Sequence, residues 1–216
     1  MLKNRRQPDA APKDLDKALR ARRKELNLTM QSVADATGLS VGFISQVERG
    51  ITTPSLGSLV SLAEALQADI SDFLQQPPSA GQSTHTASRH AYSVPGADVS
   101  YERLSTIFPD SQLHSVIVHE PPGHRAEPIS HRGEEMFYVI SGEITVEIEG
   151  AVEILSQGDS IHFNSRRVHS TWNHTTSSAS ILWCGTMDVF GDAPPPIHKE
   201  NANIKALNKP TGKTIS

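Results

Sequence analysis

The stretch "SVADATGLSVGFISQVERG", residues 32–50, decides how the first third of the chain is read. Thr29 just before it is an N-cap candidate, and Gly38 is the residue type that ends a helix in the left-handed conformation. Ser40 is a second N-cap candidate, and Gly50 closes the next segment. The spacing predicts one helix over 29–38 and a second over 41–50, joined at "TGLS". Ile44 and Val47 lie three apart and should face inward. Working outward, "DLDKALRARRKELN" (14–27) sets Leu15, Ala18, Leu19 and Leu26 on one face and arginines on the other. "TTPSLGSLVSLAEALQ" (52–67) offers Thr53 and Ser55 as caps, Pro54 near the first turn, and leucines at helical intervals. "ISDFLQ" (70–75) supplies a short last helix, so the segment 14–75 is expected to be a five-helix bundle.

The net charge of -4 argues against a nucleic-acid binder only until its distribution is considered. Residues 1–24 carry nine basic and three acidic side chains, whereas residues 76–216 carry ten and fifteen. All ten histidines lie beyond residue 84. The single cysteine, Cys184, cannot form an intrachain disulfide, which fits a reducing cytoplasm. No apolar run is long enough to span a membrane, and the polar N-terminus lacks the apolar core of a secretory signal. The expected division is a flexible 1–13, a helical 14–75, a Pro/Ser/Gly/Thr-rich linker at 76–97, a β domain at 98–190, and an extended or disordered tail at 191–216.

Two helices across a tight turn form a helix-turn-helix, whose second member enters the major groove. That assigns Thr29, Gln31, Ser40, Val41, Gly42, Phe43, Ser45, Gln46 and Arg49 to the nucleic-acid side. Gln46 can pair bidentately with adenine, and Val41 can touch a thymine methyl. Thr29, Gln31 and Ser40 sit at helix starts, where backbone N–H groups meet phosphate. Arg20, Arg22, Arg23 and Lys24 add backbone charge from the first helix, while Glu48 suits a buried pair with an arginine that holds the turn. The stretch from Ser32 through "SQVERG" and "PSLGSLVSLAEAL" closely resembles the Xre-type repressors, the lambda and Cro-like helix-turn-helix family. The resemblance implies a five-helix domain that binds double-stranded DNA as a dimer. It places Val41, Gly42 and Gln46 toward bases, and Ser40 and Arg49 toward the backbone.

Past residue 97 the period changes to two. Short strand candidates at 112–120, 134–142, 143–150, 152–159, 160–165, 169–175 and 178–186 predict a β-sandwich or barrel. Within it, Gly123, Ile129, His131, Glu135 and Gly142, followed by Gly158, His169 and Asn173, have spacings that resemble the two cupin motifs. The resemblance implies an antiparallel jelly-roll barrel and, in motif-complete members, a metal held by three histidines and a glutamate. Here Ile129 stands where the first histidine belongs, and Asn164 and Arg166 replace the proline and glycine of the second motif. His131, Glu135 and His169 remain; an offset of four puts the first two on one face of a strand.

Three readings of this set stay open: a three-ligand site for a divalent metal (Zn, Fe or Ni), a metal-free effector pocket lined by Ile129, His131, Glu135, Phe137, His169 and Trp183, or an internally satisfied polar cluster. A Glu135 beside two imidazoles should stay ionised. His114, His119, His124, His162 and His174 read as surface or strand histidines. The combination implies a cytoplasmic, non-enzymatic transcription regulator that requires no cofactor. It would be a homodimer on a near-palindromic operator, sensing an amino acid, a polyamine or a similar metabolite. The alternatives are a non-haem iron oxygenase, since a phosphonate epoxidase family joins the same two domain types, and a DNA-binding module whose barrel only dimerises.

Overall fold

The computed structural model describes residues 14–76 and 81–191; the N-terminal segment expected to be flexible and all but the first residue of the expected tail lie outside them. The described residues form four α-helices, α1 Leu15–Glu25, α2 Met30–Thr37, α3 Val41–Val47 and α4 Leu56–Ala65, one 3-10 turn at Ile70–Asp72, and nine strands. The expected fifth helix is therefore corrected to that single turn. Asp69 and Asp72 cap it reciprocally, and Pro77 lies close behind, leaving no length for an α-helix to propagate.

Local chemistry accounts for the helix ends. The hydroxyls of Thr29, Ser40 and Ser55 accept from the amides of Ser32, Phe43 and Ser58. Gly38 takes φ 73°, the left-handed value that turns α2 into α3. Leu15, Leu19, Val33, Ile44, Val47 and Leu59 meet in the helical core. Two α1 arginines prove structural rather than solvated. Arg23 is buried, forking onto both oxygens of Glu48 and donating to the Leu28 carbonyl at 2.8 Å. Arg22 donates to the Leu66 and Gln67 carbonyls at 3.0 and 2.9 Å, closing the C-terminal end of α4.

The strands are β1 Ala91–Tyr92, β2 Ser100–Arg103, β3 His114–Glu120, β4 Glu134–Ser141, β5 Glu143–Ile148, β6 Ala151–Ser156, β7 Ser160–Asn164, β8 His169–Trp172 and β9 Ala179–Gly185. They pair antiparallel in a six-stranded sheet, β1-β2-β3-β9-β4-β7, and a three-stranded sheet, β6-β5-β8. The inner faces carry the β core, including Val116, Val139, Ile144, Val146 and Ile181. At Gly142, with φ 80°, a Cβ would lie 2.9 Å from the Ser178 carbonyl oxygen, so only glycine lets β4 turn into β5 here.

Sequence reading passed over β1 and β2. Tyr92 and Val94, inside the expected linker, are buried in the common core, and Arg89 pairs with Glu102 at 2.9 Å. Residues 89–97 are thus part of the β domain rather than a free tether.

Replacing Arg23 by Ala leaves Glu48 buried without its partner, at a cost of about 3–5 kcal/mol. Denaturant unfolding followed by helical signal should show that loss, with partial retention in Arg23→Lys, which cannot fork. A loss under about 1 kcal/mol contradicts the structural role.

Candidate barrel site and nucleic-acid interface

Strand β4 alternates buried and exposed residues, so Glu135, Phe137 and Val139 point inward together. The bridge between Ile129 and His169 brings the two histidine-bearing segments side by side. His131 Nε2 lies 2.8 Å from Glu135 Oε1, and His169 Nε2 lies 3.2 Å from Oε2. One potential ligand atom from each of the three residues falls within 4.8 Å of the others. Each ring's second nitrogen is fixed by the backbone: His131 Nδ1 donates to the Arg132 carbonyl at 3.1 Å and His169 Nδ1 to the Arg167 carbonyl at 2.8 Å.

That anchoring sets a proton requirement. A carbonyl only accepts, so both Nδ1 atoms carry hydrogen, and each neutral ring then turns an Nε2 lone pair toward a carboxylate oxygen. The contacts become attractive when the rings are protonated or when a cation sits among the three residues. Burial opposes the charge on Glu135, yet the hydrogen bonds and charges of the two histidines hold its pKa down at about 2. Burial likewise opposes protonation of His131, but the hydrogen bond and charge of Glu135 win and raise its pKa.

The cluster opens into a cavity of about 110 Å³. All six residues read from the sequence as pocket residues line it: Ile129, His131, Glu135, Phe137, His169 and Trp183. Sequence reading missed Tyr101, Glu120, His124 and Glu127 on the same wall, and it missed that Ser55, Leu56 and Gly57 of the helical domain close the cavity. The amide and the hydroxyl of Ser55 donate to Glu127 Oε1 at 2.9 and 2.8 Å. The Leu56 amide donates to the Tyr101 hydroxyl at 3.3 Å. A Cβ at Gly57 would meet Ile129 Cδ1 at 3.5 Å, so the isoleucine at the vacated ligand position packs against α4. The other histidines differ among themselves: His114 is buried, His119 bonds Glu102 and Ser180, His162 pairs with Glu134, and His174 bonds Thr145.

On the helical domain, Ile44 and Val47 face the core, leaving Val41, Gly42 and Gln46 exposed on α3 and Arg49 exposed in the turn just after it. Ser45 is half-buried, and Phe43 is half-buried against the core. Thr29 and Ser40 are engaged as caps, Gln31 bonds Asp35 at 2.8 Å, and Arg49 donates to the Ser45 carbonyl at 3.0 Å. No helix among the described residues is long and apolar enough to cross a membrane.

Residues 19–73 match the helix-turn-helix family and residues 116–185 the cupin domain family, together more than half of the chain. The chain belongs to the helix-turn-helix transcription regulators that carry a C-terminal cupin domain. It is 25% identical over 170 residues to the HTH-type transcriptional regulator PuuR of Escherichia coli (strain K12), covering 78% of this chain and 92% of the relative. It is 24% identical over 155 residues to the regulator SutR of the same organism, covering 72% and 84%. A solved HTH_3 family transcriptional regulator from Vibrio cholerae shares the fold at a TM-score of 0.52 and 23% identity, covering 81% of this chain and 96% of that one.

The two shifted groups give the barrel an acid and an alkaline limit. Glu135 contributes stability above its ordinary value of 4.5 that is lost as pH falls toward about 2. His131 contributes stability below its ordinary value of 6.5 that is lost as pH rises through its raised pKa. The stability difference between metal-stripped wild type and His131→Asn should therefore be largest between pH 4.5 and 6.5 and shrink on both sides, as read by thermal unfolding. A difference independent of pH contradicts the pairing.

Proposed function

We propose that this regulator binds a near-palindromic operator as a homodimer in the cytoplasm, and that a small molecule in its barrel cavity biases that binding. The supporting observation is that the first turn of α4 forms part of the cavity wall. α4 packs against α2, and α2 packs against α3, so a ligand touching Leu56 or Gly57 acts on the reading helix through α2. The route runs through the direct contact of α4 with the barrel. Coupling needs only that the ligand bind two placements of α4 with different affinity.

On the DNA, Val41, Gly42 and Gln46 meet base edges, Ser40, Thr29 and Gln31 approach phosphate, and Arg49 reaches the backbone. A second copy would set the paired recognition helices roughly 34 Å apart. The exposed Val152 and Ile154, side by side on the outer face of edge strand β6, are the barrel surface we assign to that partner. The effector we assign to this cavity, whose lining combines three carboxylates with hydrocarbon, is an amino acid, a polyamine or a similar small metabolite. The relatives that span both domains are named as regulators, which weighs against the oxygenase alternative.

Gln46→Ala should cost about 1–3 kcal/mol of discrimination at one base pair of a selected operator while leaving the thermal midpoint unchanged. Glu127→Ala, on the barrel and off the DNA face, should also alter operator affinity. Unchanged operator binding in Glu127→Ala would contradict coupling between cavity and helix.

A second reading concerns the His131–Glu135–His169 group. Its inward lone pairs and backbone-anchored Nδ1 atoms fit a divalent cation such as Zn, Fe or Ni. The cation would offer open positions to a polar group of the effector. Metal analysis of the purified chain should find near-stoichiometric metal that His169→Ala loses; metal absent from a folded wild type eliminates this reading.

A further inference from the structure

A second polar cluster lines the cavity without sharing a hydrogen bond with the histidine–glutamate group among the described residues. It consists of Glu120 at the end of β3, His124 and Glu127 in the following loop, and Tyr101 on β2. Glu120 is 4% exposed. Its Oε1 accepts from the Thr171 hydroxyl at 3.3 Å, but its Oε2, also buried, has no hydrogen-bond partner among the described residues. The nearest cation-forming atom is His124 Nδ1 at 4.0 Å, which likewise makes no hydrogen bond. A buried carboxylate oxygen with no donor is costly, and its persistence points to a donor that arrives from outside the chain.

The surroundings specify the sign of that donor. Glu127 faces the same cavity, and its bonds to Ser55 both use Oε1, leaving the other oxygen out of that pairing. Burial pushes the Tyr101 hydroxyl toward its protonated form; the bond from the Leu56 amide opposes this, and the charges of Glu120 and Glu127 add to the upward push. Among the described residues no lysine or arginine lines the cavity, while three carboxylates do. The intervening walls are hydrocarbon from Val99, Val116, Val118, Ile181 and Met187.

We propose that Glu120, His124 and Glu127 form a subsite for a protonated primary amine carried on a short apolar body. Three N–H donors suit Glu120 Oε2, which accepts no hydrogen bond among the described residues, the second oxygen of Glu127 and a ring nitrogen of His124. The ammonium also competes with Ser55 for the Glu127 carboxylate, so its arrival loosens the first turn of α4. Naming the ligand class in this way rests on the effector-pocket reading above.

The full chain is tested with three near-isosteric probes at millimolar concentration: n-butylammonium, butan-1-ol and butyrate. Butylammonium should raise the thermal midpoint by roughly 2–4 °C once its concentration exceeds Kd severalfold, whereas the alcohol and the acid should not. Glu120→Gln, of equal volume, should weaken the amine at least tenfold, and Glu127→Gln provides an independent variant should the first fold poorly. Equal stabilisation by all three probes, no stabilisation by any, or an undiminished response in both variants overturns the subsite. Operator binding is measured with the same probes. A Glu120-dependent amine response with unchanged operator affinity upholds the subsite and defeats the sensor reading. A butyrate response that shifts operator affinity does the reverse.

Discussion

The carboxylate of Glu127 accepts two hydrogen bonds from one residue, Ser55, and thereby fixes the start of α4 over the mouth of the barrel. Ser55 is at the same time the N-cap of α4, its hydroxyl accepting from the Ser58 amide. One side chain thus terminates a helix of the DNA-reading domain and ties that helix to the other domain. Without the bond, the amide of Ser55 would lose its acceptor in a part-buried setting, a cost of about 1–3 kcal/mol. Around it the Leu56 amide bonds the Tyr101 hydroxyl, Gly57 lies beside Ile129, and the apolar core runs on from the helices into the barrel.

This docking gives the departure from the full cupin ligand set a physical role. A histidine at position 129 would present a ring nitrogen to the cavity; Ile129 instead presents hydrocarbon to α4. The barrel keeps three potential ligand side chains and turns the fourth position into a domain contact. A cavity walled by both domains lets small displacements of a ligand act on a packed helix rather than on a flexible tether, and packed elements pass on displacement instead of absorbing it.

Much of this was legible in the sequence where the cause is local. Helix starts at Thr29, Ser40 and Ser55 and the turn at Gly38 follow from bonds spanning three or four residues. The spacing of the motifs names His131, Glu135 and His169, but the shared strand face expected for the first two does not hold: His131 precedes β4 and meets Glu135 across the bend at Arg132 and Gly133. What escaped were the pairings that cross the chain. A buried pair of Glu48 with an arginine is expected, but not which arginine: Arg23, 25 residues away, reads as part of a charged face until the fold brings it there. Glu127 meets Ser55 across 72 residues, and Tyr101 meets Leu56 across 45. His124 reads as a surface or strand histidine and Glu120 draws no notice, because nothing in their immediate sequence reveals that β2, β3 and α4 converge there. The two-residue β1 is too short for any alternation to register.

The coupling proposed between the cavity and the DNA-reading face runs through α4, and such linkage is reciprocal. Amide hydrogen exchange of the full chain, free and bound to an operator duplex selected from random sequence, tests it without knowing the effector. Reciprocal coupling predicts altered exchange at Leu56 and Gly57 and at the barrel amides of Ala126 and Ile129, which bond the Thr171 and His169 carbonyls. Changes confined to residues 29–50, with the barrel amides untouched, would contradict it.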